Sequence, residues 1–277
     1  MNDSVVDELR AVAEQVVTEA AGFVARRRTE LFDSGAEVAV VRSKSTPTDP
    51  VTLADTDTEK LVRDRLAALR PGEPILGEEQ GGDTGESSAV RWVVDPIDGT
   101  VNFVYGIPAY AVSLAAQVDG VSVAGAVADV CGGLVYSAAA GRGASVVASG
   151  GRRVLQCSVV DELSMVLLGT GFGYQSQRRS AQAALLAQVL PRVRDVRRLG
   201  SAALDLCMVA AGRLDAHYEH GLNVWDWAAG ALIAAEAGAV VVLPAGPGGL
   251  LVAAAPGVAD QLIEVLESAG GAVDLGQ

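Results

Sequence analysis

The sequence predicts a mixed fold, α+β in its first half and α/β in its second. Three observations carry this. Two amphipathic helical stretches open the chain, at about residues 4–28 and 52–69. Residues 109–150 alternate short Val/Ala-rich runs with glycine turns such as Asp119-Gly120 and Gly132-Gly133, the texture of an antiparallel sheet. After about residue 160, helical periods alternate with short apolar runs, the texture of an α/β layer. The change falls near 145–160, so the chain reads as two lobes, 1–150 and 151–277.

Each element has its own warrant. Val5, Leu9, Val12 and Val16 recur at helical spacing. The run Arg42 to Asp49, RSKSTPTD, is polar, contains Pro47, and reads as a loop. Thr52 to Leu69 is a second helix with Leu61, Val62, Leu66 and Leu69 on its buried side, ended by Pro71-Gly72. Arg91-Trp92-Val93-Val94 is a short apolar strand that delivers its end to Asp95. In the second half, helices are expected at about 177–190, 201–212, 226–237 and 258–269, and strands at about 165–169, 214–218 and 239–243. No internal repeat or low-complexity tract is present.

Composition excludes several classes. Half of the 277 residues are hydrophobic and a fifth are charged, which excludes disorder as the main state. A chain of this size buries about three quarters of its unfolded surface. Lys+Arg total 21 against 34 Asp+Glu, a net charge of −13. That balance opposes general nucleic-acid binding, which needs cations to neutralise phosphates, and docking on anionic membranes. Cys131, Cys157 and Cys207 are far apart and form no CxxC pair, so neither a disulfide frame nor a zinc ribbon is supported. MNDSVVDELR lacks a basic-then-apolar signal pattern. The uncharged stretches Gly99–Val118 and Ala237–Ala259 are broken by Pro and Gly and read as strands and turns, not spans. The expectation is a reduced, soluble, cytoplasmic protein.

Acidic residues gather at four points: Gly77-Glu78-Glu79, Asp95-Pro96-Ile97-Asp98-Gly99-Thr100, Asp226 within Trp225-Asp226-Trp227, and Asp55. The second is the most telling. A strand ends, the chain turns at Pro96, and two carboxylates point into one space. Gly99-Thr100 can then open a helix, whose first N–H groups hold anions. Carboxylates beside an anion repel it unless a cation lies between. Mg²⁺ suits such a place, being held by one or two carboxylates plus substrate phosphate. Two such ions clamp the attacking and leaving oxygens. The haloacid-dehalogenase pattern DxDG[TV] does not apply, because the spacing here is Asp95-x-x-Asp98, one residue too long for it.

Other residues have plainer readings. Asp55 and Asp226 could simply favour helix starts. Glu79 is set aside because chain neighbours diverge. Trp225 and Trp227 read as packing. His217 and His220 lack a third nitrogen or sulfur ligand and read as surface or site-edge residues. Gly169-Thr170-Gly171-Phe172-Gly173 lacks GxGxxG spacing and reads as a strand-end turn. Arg192, Arg194, Arg197 and Arg198 form a small basic run that could favour an anionic substrate or a subunit contact, with a solvated face as the default reading.

In order, VTLADTDTEK, GEE, WVVDPIDGTVNF, RRLGSAALDLCMVAAGRLDAHYE and VWDWAAG resemble the inositol monophosphatase family, and within it the bacterial SuhB-type members, over nearly the whole chain. The resemblance implies a layered α-β-α-β-α sandwich, the inositol monophosphatase/fructose-1,6-bisphosphatase-like sugar phosphatase fold, with the site between the lobes. It implies two or three Mg²⁺ per site. Glu78, Asp95 and the Ile97 carbonyl would hold one; Asp95, Asp98 and Asp226 a second; Glu78 would share a weaker third through waters. Gly99 and Thr100 N–H groups would bind phosphate. Thr100, hydrogen-bonded to Asp55, would orient the attacking water and help deprotonate it. Glu219 would contact ring hydroxyls, with Asp98, Gly200, Ser201 and Ala202 completing that site. Lys44 would fall in the family's loop near the metals. The implied activity is hydrolysis of inositol 1-phosphate and related monophosphates, inhibited by Li⁺, in a homodimer. VNF at 101–103 and Glu219 favour inositol over fructose 1,6-bisphosphate, phosphoadenosine phosphate or histidinol phosphate. The competing class is a regulator that kept the fold; intact metal positions favour the enzyme.

Overall fold

The computed structural model describes residues 2–33, 41–43, 50–82 and 90–271. Lys44 and most of the polar run 42–49 lie outside the described residues. Helix α1 (Asp3–Arg28) is capped by the Asn2 side chain, which accepts the Val5 N–H at 3.0 Å. It buries one stripe, Val6, Leu9, Ala13, Val16, Val17, Ala20 and Val24, and runs on into a π turn at Thr29–Asp33. Strands β1 (Val41–Ser43) and β2 (Pro50–Thr52) pair antiparallel and lead into α2 (Leu53–Leu69).

Seven strands form the larger sheet: β3 (Ile75–Gly77), β4 (Arg91–Asp98), β5 (Ala111–Val118), β6 (Val121–Asp129), β7 (Leu134–Ala139), β8 (Ala144–Ala148) and β9 (Gly151–Val154). They lie side by side in chain order. All neighbours are antiparallel except β3 and β4. The short helix α3 (Thr100–Tyr105) follows β4. The smaller sheet takes β10 (Leu167–Thr170), β11 (Asp195–Arg197), β12 (Ala216–His220), β13 (Val240–Val242) and β14 (Leu250–Ala254) in the order β11-β10-β12-β14-β13. Here β10 is parallel to both its neighbours, and β14 is antiparallel to both of its own. The remaining helices are α4 (Ser176–Val189), α5 (Ala202–Ala210), α6 (Val224–Glu236) and α7 (Ala259–Ser268).

Four apolar cores separate five layers. One joins α1 and α2 to the larger sheet, through residues such as Val16, Val62, Trp92 and Val94. A second joins its opposite face, through Val93 and Val127, to α5 and α6. A third joins those helices to the smaller sheet through Leu206, Ala234 and Leu251. The fourth packs α4 and α7 on the outer face through Leu185, Leu262 and Tyr218. This is the α-β-α-β-α sandwich the resemblance implies. Helices α5 and α6 are apolar on nearly every side because each faces a sheet on both sides.

The helix expectations agree with the structure to within a few residues. Strands β1, β2, β3, β9, β11 and β14 lie outside the strands the sequence predicts, and so does the continuation of β4 to Asp98; β1 also takes Arg42 and Ser43 out of the run read as a loop. Short buried runs carry no period that separates them from turns. Helix α3 also breaks the reading of 99–118 as strands and turns alone. The larger sheet ends at Val154 and the smaller begins at Leu167.

Candidate active site

The DPIDGT string is shaped by a bulge. Asp95 pairs with Ser113 and Asp98 with Ala111, so β4 spends three steps where β5 spends two. In a regular strand residues three apart face opposite ways. The extra residue cancels that difference, so both carboxylates return to the α5/α6 side. Ile97 instead turns into the α1 core, where it is 1% exposed. Pro96, which cannot donate to the ladder, is tolerated in this interior strand because it lies in the bulge. The strand ends at Gly99, whose φ of +97° suits glycine, and α3 begins.

A cavity of about 370 Å³ opens here. Of the expected residues, Glu78, Asp95, Ile97, Asp98, Gly99, Thr100, Gly200, Ala202, Glu219 and Asp226 line it. They come from both sheets and from the starts of α3, α5 and α6. Asp55 and Ser201 stand behind the lining. Asp55 is fully buried; its Oδ2 accepts from the Thr52 N–H at 2.7 Å and the Thr52 hydroxyl at 2.6 Å, closing a capping box on α2. Its Oδ1 accepts from the Thr100 hydroxyl at 3.1 Å. The helix-start reading and the catalytic reading of Asp55 therefore use different oxygens of one carboxylate. Ser201 caps α5 and donates to Asp98 Oδ2 at 2.6 Å; the Ala203 N–H reaches the same oxygen at 2.7 Å. Asp226 caps α6, accepting the Asn223 N–H at 2.6 Å.

These carboxylates crowd one another. Asp95 is held well above its ordinary 3.8 by burial first, then by the charges of Glu78, Asp98 and Asp226. Burial pushes Asp98 up to about 6 against the hydrogen bonds from Ser201 and Ala203. Asp226 is raised well above its ordinary value by burial and by Glu78 and Asp98. Glu219 rises to about 8, by burial and Asp98, with Arg198 opposing. Among the described residues, no three His, Cys, Asp or Glu side chains stand in ligating positions around one point. The fit to a metal rests on donor chemistry. All the donors are oxygen, they are buried (Asp95) or half-buried (Glu78, Asp98, Asp226), and they repel, which a hard divalent cation relieves.

Four contributors to the site are not assigned to it by the sequence reading. Glu59, fully buried on α2, accepts the N–H groups of Glu79 at 2.7 Å and Gln80 at 3.1 Å, and pairs with Arg63 at 2.8 Å. It thereby holds the turn that carries Glu78, and Gly77 leaves room for it, since a Cβ there would stand 2.4 Å from its carboxylate. A glutamate on the Asp55-Glu59-Val62-Leu66 stripe of α2 was the available signal. Asn102 donates to the carbonyls of Ala109 and Leu199, both at 2.7 Å, tying α3 to the Gly200 turn. Arg178 and Arg198 line the cavity. Arg198 is exposed, as the solvated-face reading has it, and it also lines the cavity. The surface reading of the histidines is also corrected: His217 is 0% and His220 2% exposed. Strand β12 is central to its sheet, so both are covered, and His220 Nε2 bonds the Gly271 carbonyl at 2.7 Å.

The family model described as "Inositol monophosphatase family" matches residues 5–270. A curated inositol-1-monophosphatase of Mycobacterium leprae is 64% identical over 281 residues, covering 97% of each chain. A Nus factor SuhB of Pasteurella multocida is 37% identical over 79% of this chain and 83% of its own. The solved structure of Mycobacterium tuberculosis SuhB superposes with a TM-score of 0.84 at 62% identity, over 96% of this chain and 98% of that one. With the family pattern matched almost end to end and a relative this similar along its whole length, the chain belongs to the inositol monophosphatase family.

Proposed function

We propose that this phosphatase hydrolyses inositol 1-phosphate, and related sugar or polyol monophosphates, with Mg²⁺. The supporting observation is the bulge in β4, which turns Asp95 and Asp98 to one side of the strand, into a cavity shared with Glu78 and Asp226. Glu78, Asp95, Asp98, Asp226 and the Ile97 carbonyl would hold two or three ions. Bound there, Mg²⁺ supplies positive charge for the phosphoryl oxygens and lowers the pKa of water. The Gly99 and Thr100 N–H groups receive the phosphate. The Thr100 hydroxyl, held by Asp55, orients the attacking water and helps take its proton. The new bond joins water oxygen to phosphorus, the ester P–O bond breaks, and a proton reaches the departing alkoxide. Glu219, Gly200, Ser201 and Ala202, with Asp98, receive the ring. The two lobes, 1–150 and 151–277, meet at this site. The enzyme works in the cytoplasm as a homodimer and is inhibited by Li⁺.

The test is phosphate release from D-myo-inositol 1-phosphate with Mg²⁺, beside fructose 1,6-bisphosphate, phosphoadenosine phosphate and histidinol phosphate. Asp95→Asn is expected to lower kcat/KM by at least about a thousandfold, the scale of losing a central electrostatic group. Another substrate preferred about a hundredfold, a selectivity a polar ring site can impose, would overturn the inositol assignment and leave the chemistry. No turnover of any ester would favour a regulatory protein.

A further inference from the structure

The mechanism above leaves unused a row of buried polar side chains behind Glu219. His217 and Glu219 lie two apart on β12, so both face α5. Asp205 comes from α5 to meet them. Its Oδ2 lies 3.5 Å from His217 Nδ1, and Glu219 Oε2 lies 3.6 Å from His217 Nε2. The imidazole is fully buried, and neither ring nitrogen has a hydrogen-bond partner among the described residues. Buried polar atoms need partners, and the two carboxylates are within reach. The row is graded in exposure: the side chains of Asp205 and His217 are 2% and 0% exposed, that of Glu219 13%, at the cavity.

The neighbouring strand is cut back to make room. Gly169 of β10 is registered beside His217. A Cβ there would stand 3.0 Å from His217 Nδ1, and one on Gly171 would stand 2.1 Å from Glu219 Oε2. The glycine-rich run at 169–173 is thus more than a strand-end turn.

We infer that His217 is a positioning residue for substrate selectivity, its Nε2–H aiming the Glu219 carboxylate at the ring hydroxyls while Asp205 holds Nδ1. This rests on the reading of Glu219 as the ring contact. A neutral imidazole has one N–H and one lone pair. Facing two carboxyl groups, it can satisfy both only if one of them keeps its proton. Burial, then the charges of Glu219 and Asp98, raises Asp205 well above its ordinary value. Glu219 is raised as well, but it opens on the cavity at 13% exposure while Asp205 is closed off at 2%, so Asp205 is the end that keeps the proton and donates to Nδ1. Nε2–H then points at Glu219, the end that meets substrate. Arg198 supplies the opposing positive charge at both carboxyl groups.

The experiment compares His217→Phe, His217→Gln, His217→Asn, Glu219→Gln and the double variant His217→Phe/Glu219→Gln. Inositol 1-phosphate and p-nitrophenyl phosphate, which has no ring hydroxyls, are the substrates. His217→Phe is expected to raise KM for inositol phosphate about tenfold with kcat changed less than about threefold, the signature of lost binding. The preference for inositol phosphate over p-nitrophenyl phosphate falls by a similar factor. His217→Gln, whose amide reaches the Nε2 position, restores most of the loss; His217→Asn, which reaches only toward Asp205, does not. The double variant is no worse than Glu219→Gln alone, because the two act as one unit. Additive losses, or equal losses on both substrates, would overturn the inference. So would an unaltered preference in His217→Phe where Glu219→Gln loses it. If Glu219→Gln itself loses nothing, the ring-contact reading fails instead. Should His217→Phe not fold, the Gln/Asn contrast decides: equal behaviour of the two sinks the proposal. In the protein without metal, the imidazole Nε2–H proton resonance should lie downfield and move in Glu219→Gln; a resonance that stays put counts against it.

Discussion

Glu59 is the residue on which the Glu78 turn depends. Its fully buried carboxylate is shared among two backbone N–H groups and the partly buried Arg63. Replacing it with Ala strands a partly buried guanidinium and two amides, the kind of loss that costs about 3–5 kcal/mol. Glu59→Ala should therefore lower the melting temperature and weaken the Mg²⁺ dependence of activity together. Melting and a Mg²⁺ titration of the rate would check it; a destabilised variant with unaltered Mg²⁺ half-saturation would show that the turn does not need its clamp. Residue types and spacing made Asp95, Asp98 and Asp226 legible in the sequence, because DPIDGT and WDxAAG are compact strings. Glu59, Asn102 and Arg198 were not legible, because each works through atoms that the chain brings close only after folding, such as the Leu199 carbonyl for Asn102.

Among the elements, α1 is fixed to the larger sheet by more than its apolar stripe. Glu14 accepts from Arg10 at 3.2 Å, from Arg152 at 2.6 Å, and from the Ser137 hydroxyl. Burial alone would raise its carboxyl, but hydrogen bonds from Arg152 and Ser137 and the charges of Arg152 and Arg10 outweigh it, and it lies below 4.5. A depressed carboxyl stabilises the fold above its unfolded value and loses that as pH falls through the folded one. Glu14→Gln should cost on the order of 1 kcal/mol at neutral pH, as part of a half-exposed network. The gap from the parent should close below about pH 4.5. Melting curves from about pH 3 to about pH 7 test this; a gap that stays constant into acid would refute it. The α1 stripe was readable from period alone. Strands β11 and β14 were not, since what makes them strands is the pairing partner each finds.

For the whole molecule, the site carboxyls set the opposite pH trend. Asp95, Asp98, Asp205, Glu219 and Asp226 are all raised, Asp98 to about 6 and Glu219 to about 8. A raised carboxyl binds its proton more tightly folded than unfolded, so it favours the fold at low pH. That contribution declines as pH rises from the unfolded value through the folded one. Without added metal, the melting temperature should fall from about pH 5 to about pH 8, and Mg²⁺ should raise it more at the upper end. Thermal melts with chelator and with Mg²⁺ decide the matter; an equal Mg²⁺ shift at both ends would contradict it. The same crowding states what kind of protein this is: repulsion left in place at the meeting of two sheets, tied by Ser201 and Ala203 to Asp98 and by Asn102 to Leu199. By itself the sequence determined the family, the helices and the acidic strings whose carboxylates line the cavity, since hydrophobic period and contiguous motifs are local properties. Only the tertiary structure decided that the bulge turns Asp98 to the side of Asp95, that Glu59 holds the Glu78 turn, and that His217 lies buried between Asp205 and Glu219. Those facts depend on register and on contacts between distant segments, which no local pattern encodes.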